Sequence, residues 1–314
     1  MSKKLDLIAG CIIFLILSTV VVGAVNESVE PTQLWKKLVL RDILGISLSL
    51  DSEKIVTLSD NNYIYVFNKT GDLDRSFHTG IGLSVAASSD FRLIVVGTLD
   101  GYIRIFDNFG VLLREHKTKG KINGVSISSD GEYIAGGSED GNVYILSGRG
   151  ELLANYHIGS PVLDVSLSPD GGYIAAGSLN RNLYLLSREG KLLWEYESMN
   201  AIEAVSASFN GEYIVAGAGN TVLLLDKNGN LLWEYKATGN VRGVGITPNG
   251  GYITSGSADG TVRLLNKDMF VLWTQAIDKR VIDIAISQDG SYVTYTVLGR
   301  GMYFISSGVK PVPV

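Results

Sequence analysis

Short apolar segments, each broken by a polar turn, run from residue 33 to about residue 307. The order is clearest in one stretch, which contains Val125–Ser128, a turn at Asp130-Gly131, Tyr133–Ser138, a turn at Asp140-Gly141, Val143–Leu146, a turn near Gly150 and Leu152–Tyr156. Asp-Gly pairs supply the positive φ angles that tight hairpins require. The apolar period of 3.6 residues that marks a helix is absent from this stretch. The pattern therefore predicts a unit of four antiparallel strands joined by three turns.

The same unit recurs along the chain with a nearly constant period. The residues that align at the first turn are Asp51, Asp90, Asp130, Asp170, Asn210, Asn249 and Asp289, with spacings of 39, 40, 40, 40, 39 and 40. Several strands, such as Val222–Leu225, are apolar on both faces, which indicates a sheet that is covered on both sides. Four-stranded repeats of this length are typical of a β-propeller. We predict an all-β, seven-bladed β-propeller with four-stranded antiparallel blades.

The seventh copy supplies only three strands, at residues 281–287, 292–297 and 302–306. A matching fourth segment is found near the other end of the chain, where Gln33–Lys37 aligns with Leu192–Tyr196 and Leu231–Tyr235. We therefore predict that residues 33–40 form the outer strand of blade seven and so close the ring.

The N-terminal region has a different pattern. Leu7–Val25 is 19 residues without a charge, preceded by Lys3 and Lys4. Such a run is about 28 Å long as a helix, which just spans a bilayer core. We expect a hydrophobic helix whose basic end stays in the cytoplasm, so that the propeller lies outside it. Val22-Gly23-Ala24 also resembles a signal-peptidase site, and in that alternative the propeller is secreted.

These observations divide the chain into four parts: an N-terminal transmembrane anchor or signal peptide (1–25), a linker (26–32), the propeller (33–308) and a C-terminal tail (309–314). Asn26 and Asn68 begin N-glycosylation acceptor patterns that this topology exposes. The single cysteine, Cys11, lies in the apolar run, so the propeller has no thiol for a disulfide. A net charge of −5 argues against nucleic acid as a partner.

Two family resemblances follow from particular residues. The segment Gly256–Leu265 resembles the second and third strands of a WD-repeat blade, although the Gly-His and Trp-Asp dipeptides typical of that family are missing or reduced. The segments Gly190–Trp194 and Gly229–Trp233 resemble the Gly-x-x-x-Trp docking element of propellers of the pyrroloquinoline-quinone (PQQ) type. That resemblance implies a tryptophan that packs between blades, and it does not imply a bound quinone.

The chemistry-bearing residues do not form a recognisable catalytic set. The three histidines, His78, His116 and His157, all align at the end of an outer strand, where side chains of successive blades diverge. The repeated aspartates are explained by their turns, and the aligned tryptophans by blade packing. We therefore expect no enzyme activity, no cofactor and no metal.

Binding residues are most often carried by loops on a rigid scaffold. The loops between blades, together with those between second and third strands, share one face and carry several cations. Our candidate contacts for a partner are Arg181, Lys279, Arg280 and Arg300. The leading hypothesis is a monomeric, membrane-tethered, extracytoplasmic binding or scaffold module whose partner is a protein or a cell-surface component. The alternatives are a PQQ-like or metal-dependent oxidoreductase and a sensory ectodomain that acts through a partner.

Overall fold

The computed structural model describes residues 29–38, 41–49, 51–299 and 301–311. Its strands form seven separate four-stranded antiparallel sheets. The predicted seven-bladed, all-β propeller is thereby confirmed. Among the described residues, no helix is long and apolar enough to cross a membrane. The predicted hydrophobic helix at 1–25 lies outside those residues.

We number the strands along the chain and the blades from the first complete one. Blade 1 contains β2 (Ile43–Leu48), β3 (Lys54–Ser59), β4 (Tyr63–Asn68) and β5 (Leu73–His78). Blade 2 contains β6 (Gly82–Ala87), β7 (Leu93–Thr98), β8 (Tyr102–Asp107) and β9 (Leu112–Lys117). Blade 3 contains β10 (Ile122–Ile127), β11 (Tyr133–Ser138), β12 (Asn142–Ser147) and β13 (Leu152–His157). Blade 4 contains β14 (Val162–Leu167), β15 (Tyr173–Ser178), β16 (Asn182–Ser187) and β17 (Leu192–Glu197).

Blade 5 contains β18 (Ile202–Ala207), β19 (Tyr213–Ala218), β20 (Thr221–Asp226) and β21 (Leu231–Lys236), with a short 3-10 helix at Phe209–Gly211. Blade 6 contains β22 (Val241–Ile246), β23 (Tyr252–Ser257), β24 (Thr261–Asn266) and β25 (Val271–Ala276). Blade 7 contains β26 (Val281–Ile286), β27 (Tyr292–Val297) and β28 (Gly301–Ser306) from the end of the chain, and β1 (Thr32–Leu38) from its beginning.

The aspartate that aligns across the repeat builds the first turn of blades 1, 2, 3 and 7. In blade 3, Asp130 Oδ1 accepts hydrogen bonds from Ser128 Oγ at 2.6 Å and from the Glu132 backbone N–H at 2.9 Å. Asp51, Asp90 and Asp289 accept the same two kinds of bond in their own turns. These carboxylates shape hairpins, as the Asp-Gly pattern predicted.

Blades contact each other through apolar layers in which glycine permits a close approach. A Cβ on Gly137 in β11 would lie 2.7 Å from Val162 Cγ1 of the next blade, and Gly97, Gly177, Gly217 and Gly256 meet the next blade in the same way. The first residue of each inner strand, such as Val162 or Ile202, is fully buried in this layer. The core is thus a series of inter-blade clusters rather than one central core.

The outer-strand tryptophans connect neighbouring blades on the outside of the ring. Trp194 Nε1 in blade 4 donates to Lys227 O of blade 5 at 2.9 Å, and its ring packs on Gly229. Trp233 and Trp273 donate to Lys267 O and Ser307 O of their next blades. The interpretation of the aligned tryptophans as packing residues is confirmed by these contacts.

The two ends of the described chain meet in blade 7. Strand β1 pairs antiparallel with β28 from Thr32↔Ser306 to Leu38↔Gly301. Trp35 of β1 stacks on Phe304 at 5.3 Å and donates to Lys69 O of blade 1 at 2.8 Å. Asp283 of β26 accepts from the Ile46 N–H of blade 1 at 3.0 Å. Residues from both ends of the chain therefore hold the junction between blades 7 and 1.

The propeller has two faces, which we name by what they carry. The N-terminal face carries the turns between first and second strands, the turns between third and fourth strands, the start of β1 and Ser307–Pro311. The crossover face carries the turns between second and third strands and the connections from one blade to the next. On the crossover face these two sets touch, as in the bonds from Leu179 N to Pro161 O and from Leu298 N to Arg280 O.

We expect deletion of residues 33–40 to destabilise the propeller, because the exposed edge of β28 loses its ladder and Trp35 no longer ties blade 7 to blade 1. Lost hydrogen bonds contribute about 1 kcal/mol each, so the midpoint of thermal unfolding should fall by on the order of 10 °C or more. The free edge should also promote association between chains. A deletion variant that stays monomeric and keeps the parent midpoint would show that this strand does not close the ring.

Met269 offers a second test of the fold, because it has φ +68° at a position where Gly71, Gly110, Gly150, Gly190 and Gly229 stand in blades 1 to 5. A left-handed conformation costs a residue with a Cβ about 1–2 kcal/mol. Met269→Gly should therefore raise the unfolding midpoint by about 2–4 °C. Met269→Ala, which keeps the Cβ, is the control, and equal midpoints for the two variants would contradict this account.

Candidate functional site

Three of the four predicted contact residues lie exposed on the crossover face. Arg181 lies in the β15–β16 turn, and Lys279 and Arg280 lie in the connection from β25 to β26. The Lys279 ammonium lies beside Gly299 in the β27–β28 turn. The connection from β25 to β26 therefore meets that turn at blade 7. The fourth residue, Arg300, lies outside the described residues. Arg181 is three blades away from the Lys279–Arg280 pair, on the opposite side of the channel.

These cations share their face with carboxylates. Arg181 Nη2 contacts Glu197 Oε1 at 2.9 Å, and Lys121 Nζ contacts Glu139 Oε2 at 3.0 Å. Asp60, Asp100 and Asp278 are also exposed on this face. In the described ranges, Lys279 and Arg280 make no ion pair. The crossover face is therefore of mixed charge.

Large apolar side chains accompany the cations, and our sequence analysis missed them. Ile81, Leu99, Leu179, Met199 and Leu298 are exposed on the crossover face, with Met199 86% exposed. Leu99, Leu179 and Leu298 each directly follow the second strand of their blade, at the position where blades 1 and 3 carry Asp60 and Glu139. Alignment of that single position along the repeat would have revealed the substitution of leucine for an acid.

The central channel is lined by the second and third residues of the seven inner strands. The third position carries a small residue in five blades, namely Gly45, Ser84, Gly124, Ala204 and Gly243, and an aspartate in the other two. Those aspartates are Asp164 in blade 4 and Asp283 in blade 7. They border a cavity of about 150 Å³.

Each channel aspartate joins two blades. Asp164 Oδ1 accepts from the Val165 N–H at 2.9 Å, and its Oδ2 accepts from the Val205 N–H of blade 5 at 2.9 Å. Asp283 does the same with Ile284 in its own strand and Ile46 in blade 1. Ser84 Oγ accepts from Val125 N of the next blade at 3.1 Å, which is the neutral version of the same bridge. Both oxygens of each carboxylate thus bind backbone N–H groups.

Burial deep in the ring disfavours the charged form of both carboxylates. It raises the pKa of Asp164 to about 7, against the lowering effect of its N–H donors, and the charge of Asp283 raises the pKa of Asp164 further. Burial raises the pKa of Asp283 to about 6.

Glu203 and Arg242 form an ion pair in the same channel, and Arg242 Nε is buried without a hydrogen-bond partner in the described structure. Our sequence analysis did not identify these channel residues.

The remaining predicted features are placed as follows. His78, His116 and His157 lie at the ends of β5, β9 and β13, in three different blades. Among the described residues, no group of histidine, cysteine and carboxylate side chains could hold a metal ion. Asn68 lies half-buried at the end of β4, where its Oδ1 accepts from Thr70 Oγ1 at 2.7 Å. Asn26 lies outside the described residues.

Comparison with known families accounts for most of the repeat. A family model described as the Vps42 beta-propeller matches residues 83–178. A second, described as outer membrane protein assembly factor BamB, matches residues 179–308 and belongs to the PQQ-like repeats. The packing of Trp194 on Gly229 is the inter-blade contact expected of such repeats.

This chain is a PQQ-like propeller repeat protein. A search of the curated proteins found no match. The boundary between the two family matches falls at residue 178, inside blade 4 of the PQQ-like propeller, so both matches describe parts of one continuous ring.

The channel aspartates of this PQQ-like propeller should make its stability depend on pH. Because their folded pKa values lie above the usual value for an aspartate, the native state keeps protons that the unfolded chain has already lost. The free energy of unfolding should then decrease as the pH rises from about 4 to about 7. Burial lowers the pKa of His116, which acts in the opposite sense near pH 6.

Asp164→Ser/Asp283→Ser isolates the contribution of the aspartates, because Ser84 shows that serine can make the same bridge without titrating. Denaturant unfolding at pH 5.0 and 7.5 should show a loss of stability with rising pH in the parent and a smaller loss, or none, in the double variant. An identical pH dependence in both proteins would contradict the role assigned to these carboxylates.

Proposed function

We propose that this PQQ-like propeller is a non-catalytic, extracytoplasmic binding or scaffold module, tethered to a membrane by its N-terminal segment, and that its crossover face engages a protein partner. The observation that carries the proposal is the set of exposed leucines beside exposed cations on that face. Leu179 stands beside Arg181, and Leu298 is joined to Arg280 through the backbone.

The composition of this set suits a protein partner. Interfaces between proteins combine apolar side chains, methionine and arginine at their centre with a polar rim. Scattered exposed apolar residues are ordinary on a protein surface, but here Ile81, Leu99, Leu179 and Leu298 surround one end of a ring. Acidic side chains such as Asp60 and Glu139 alternate with them, which favours a partner with matching charges of both signs.

The rigidity of the turns supports a binding role. Each leucine-bearing turn is bonded to a neighbouring connection, as in the bonds from Leu99 N to Ile81 O at 2.8 Å and from Leu179 N to Pro161 O at 3.0 Å. Contact residues that are already fixed in place lose little conformational freedom on association. The name of the second matched family, an assembly factor, is consistent with a module that acts through other proteins.

The crossover face can be tested with a photoreactive amino acid at Met199, in the full chain and in its native membrane. The crosslinked species should be lost when Arg181→Glu, Lys279→Glu, Arg280→Glu and Arg300→Glu are combined. It should also be lost in Leu99→Asp/Leu179→Asp/Leu298→Asp, which the fold should tolerate because Asp60 and Glu139 occupy the same turn position. A loss of tenfold or more is expected, because central contacts are worth about 2 kcal/mol or more each.

The matched control is Leu153→Asp/Leu193→Asp/Leu232→Asp, which alters equally exposed leucines on outer strands. It should leave the crosslinked species unchanged. Equal recovery from the parent and both crossover-face variants would count against this face as the binding surface.

A further inference from the structure

The exposed phenylalanines are confined to one face of the propeller. Phe109, Phe209 and Phe270 are 73%, 48% and 64% exposed, and all three lie in turns of the N-terminal face. The other described phenylalanines are buried or half-buried between strands and blades. One large aromatic side chain on a surface needs no explanation, but three on the same face indicate a contact.

Comparison of the blades shows that two of these residues depart from the repeat. The turns between third and fourth strands carry polar residues at the positions of Phe109 and Phe270 in the other complete blades. At the first position these residues are Thr70, Arg149, Glu189 and Asn228, and at the second Asp72, Glu151, Lys191 and Asn230. Blade 2 instead has Phe109 and Val111, and blade 6 has Asp268 and Phe270. The fold itself does not require an apolar residue at either position.

Both apolar turns are held rigid from within. Asp107 Oδ1 accepts from the backbone N–H groups of Phe109 and Val111, each at 2.9 Å. Asn266 Oδ1 accepts from Asp268 N at 3.0 Å and from Phe270 N at 2.9 Å. These bonds direct the polar side chains back into the turn and leave the phenyl groups at its surface.

The beginning of the described chain lies on the same face. Val29 packs against the cluster that includes Trp273 and Leu272 of blade 6, and the Glu30 carbonyl lies beside Gly308. Residue 29 is therefore fixed close to the turn that carries Phe270. Only residues 26–28 separate Val29 from Val25, the last residue of the apolar run, and the span from residue 25 to residue 29 is at most about 14 Å.

We propose that the N-terminal face rests on a lipid bilayer, with the Phe109 and Phe270 turns inserted into its interfacial layer and the crossover face directed away from it. This inference rests on the membrane tether of the proposed function. So short a connection brings the face to the bilayer surface, and blades 2 and 6 place their apolar turns on widely separated sides of the ring. Phenylalanine is among the side chains that peripheral segments bury at the boundary between lipid headgroups and acyl chains.

The charges of the face indicate which force drives the contact. Glu53, Glu132 and Glu189 lie on it together with Lys69, Arg149 and Arg188, and Lys69 and Arg188 are paired with Glu53 and Glu189. Attraction to anionic headgroups therefore gives no large gain. We expect contact with zwitterionic lipid, and little effect of salt on it.

The experiment uses the full chain with Cys11→Ser, reconstituted in phosphatidylcholine vesicles that contain lipids with nitroxide groups on their acyl chains. Single cysteines at Val111 and Asp268 carry an environment-sensitive fluorophore and leave both phenylalanines intact. The control label is at Leu179 on the crossover face. We expect a blue-shifted emission and several-fold stronger quenching at positions 111 and 268 than at position 179.

A second comparison tests the phenylalanines themselves. Phe109→Asn and Phe270→Asn introduce the kind of residue that blade 5 carries at these positions, so the fold should persist, and each should reduce the quenching of the label in its own turn. Quenching that is unchanged by these substitutions, or equal at positions 111, 268 and 179, overturns the inference.

Flotation of the same samples separates this inference from the proposed tether. A chain that floats with the vesicles but has unquenched labels at positions 111 and 268 retains its tether, and it contradicts the proposed contact of the N-terminal face with the bilayer. A chain that does not float contradicts the tether and also the proposed contact of the N-terminal face with the bilayer.

Discussion

The inner strands of a propeller present a constraint that the rest of this structure has to meet. Each inner strand pairs with one strand of its own blade, so the backbone N–H groups on its other edge point toward the preceding blade without a ladder partner. Buried N–H groups need acceptors. Here the preceding blade supplies them through side chains: Asp164, Asp283, Ser84 and Ser126 accept from the next inner strand. The geometry of the ring depends on these bridges and on the apolar layers outside them.

That constraint explains why acidic residues are present in the channel. Their carboxylates do not converge on a shared ligand in the structure described; each binds two N–H groups. Asp164 occupies the space that Gly124 leaves open, since a Cβ on Gly124 would lie 2.7 Å from Asp164 Oδ1. The carboxylate thereby loses water and gains two hydrogen bonds, and its pKa is raised because the loss of water outweighs the effect of the N–H donors. At the junction of blades 7 and 1, Asp283 makes one such bridge to the Ile46 N–H.

The two faces of the ring differ in a way that follows from the topology. Because β1 belongs to blade 7, the chain enters on the N-terminal face, and everything on the crossover face is directed away from the point of entry. Leucines and exposed cations occupy the crossover face, whereas the exposed phenylalanines occupy the other. This division is consistent with a tethered module that has one face toward its anchor and the other toward a partner. Because the turns on both faces are rigid, a few substitutions within the repeat are enough to change the chemical character of each face.

The sequence alone determined the number of blades, the strand order within each blade and the pairing partner of the N-terminal strand, because a 40-residue period and Asp-Gly turns are local properties that recur seven times. It also indicated the packing role of the tryptophans. It did not reveal the channel aspartates, because these residues acquire their environment only when seven blades are brought together, whereas alignment of one turn position could have shown the leucines of the crossover face. Asp164 looks like any strand aspartate until Val205 of the next blade presents its N–H. Its burial, its pKa and its neighbours are consequences of ring geometry, and only the tertiary structure decides them.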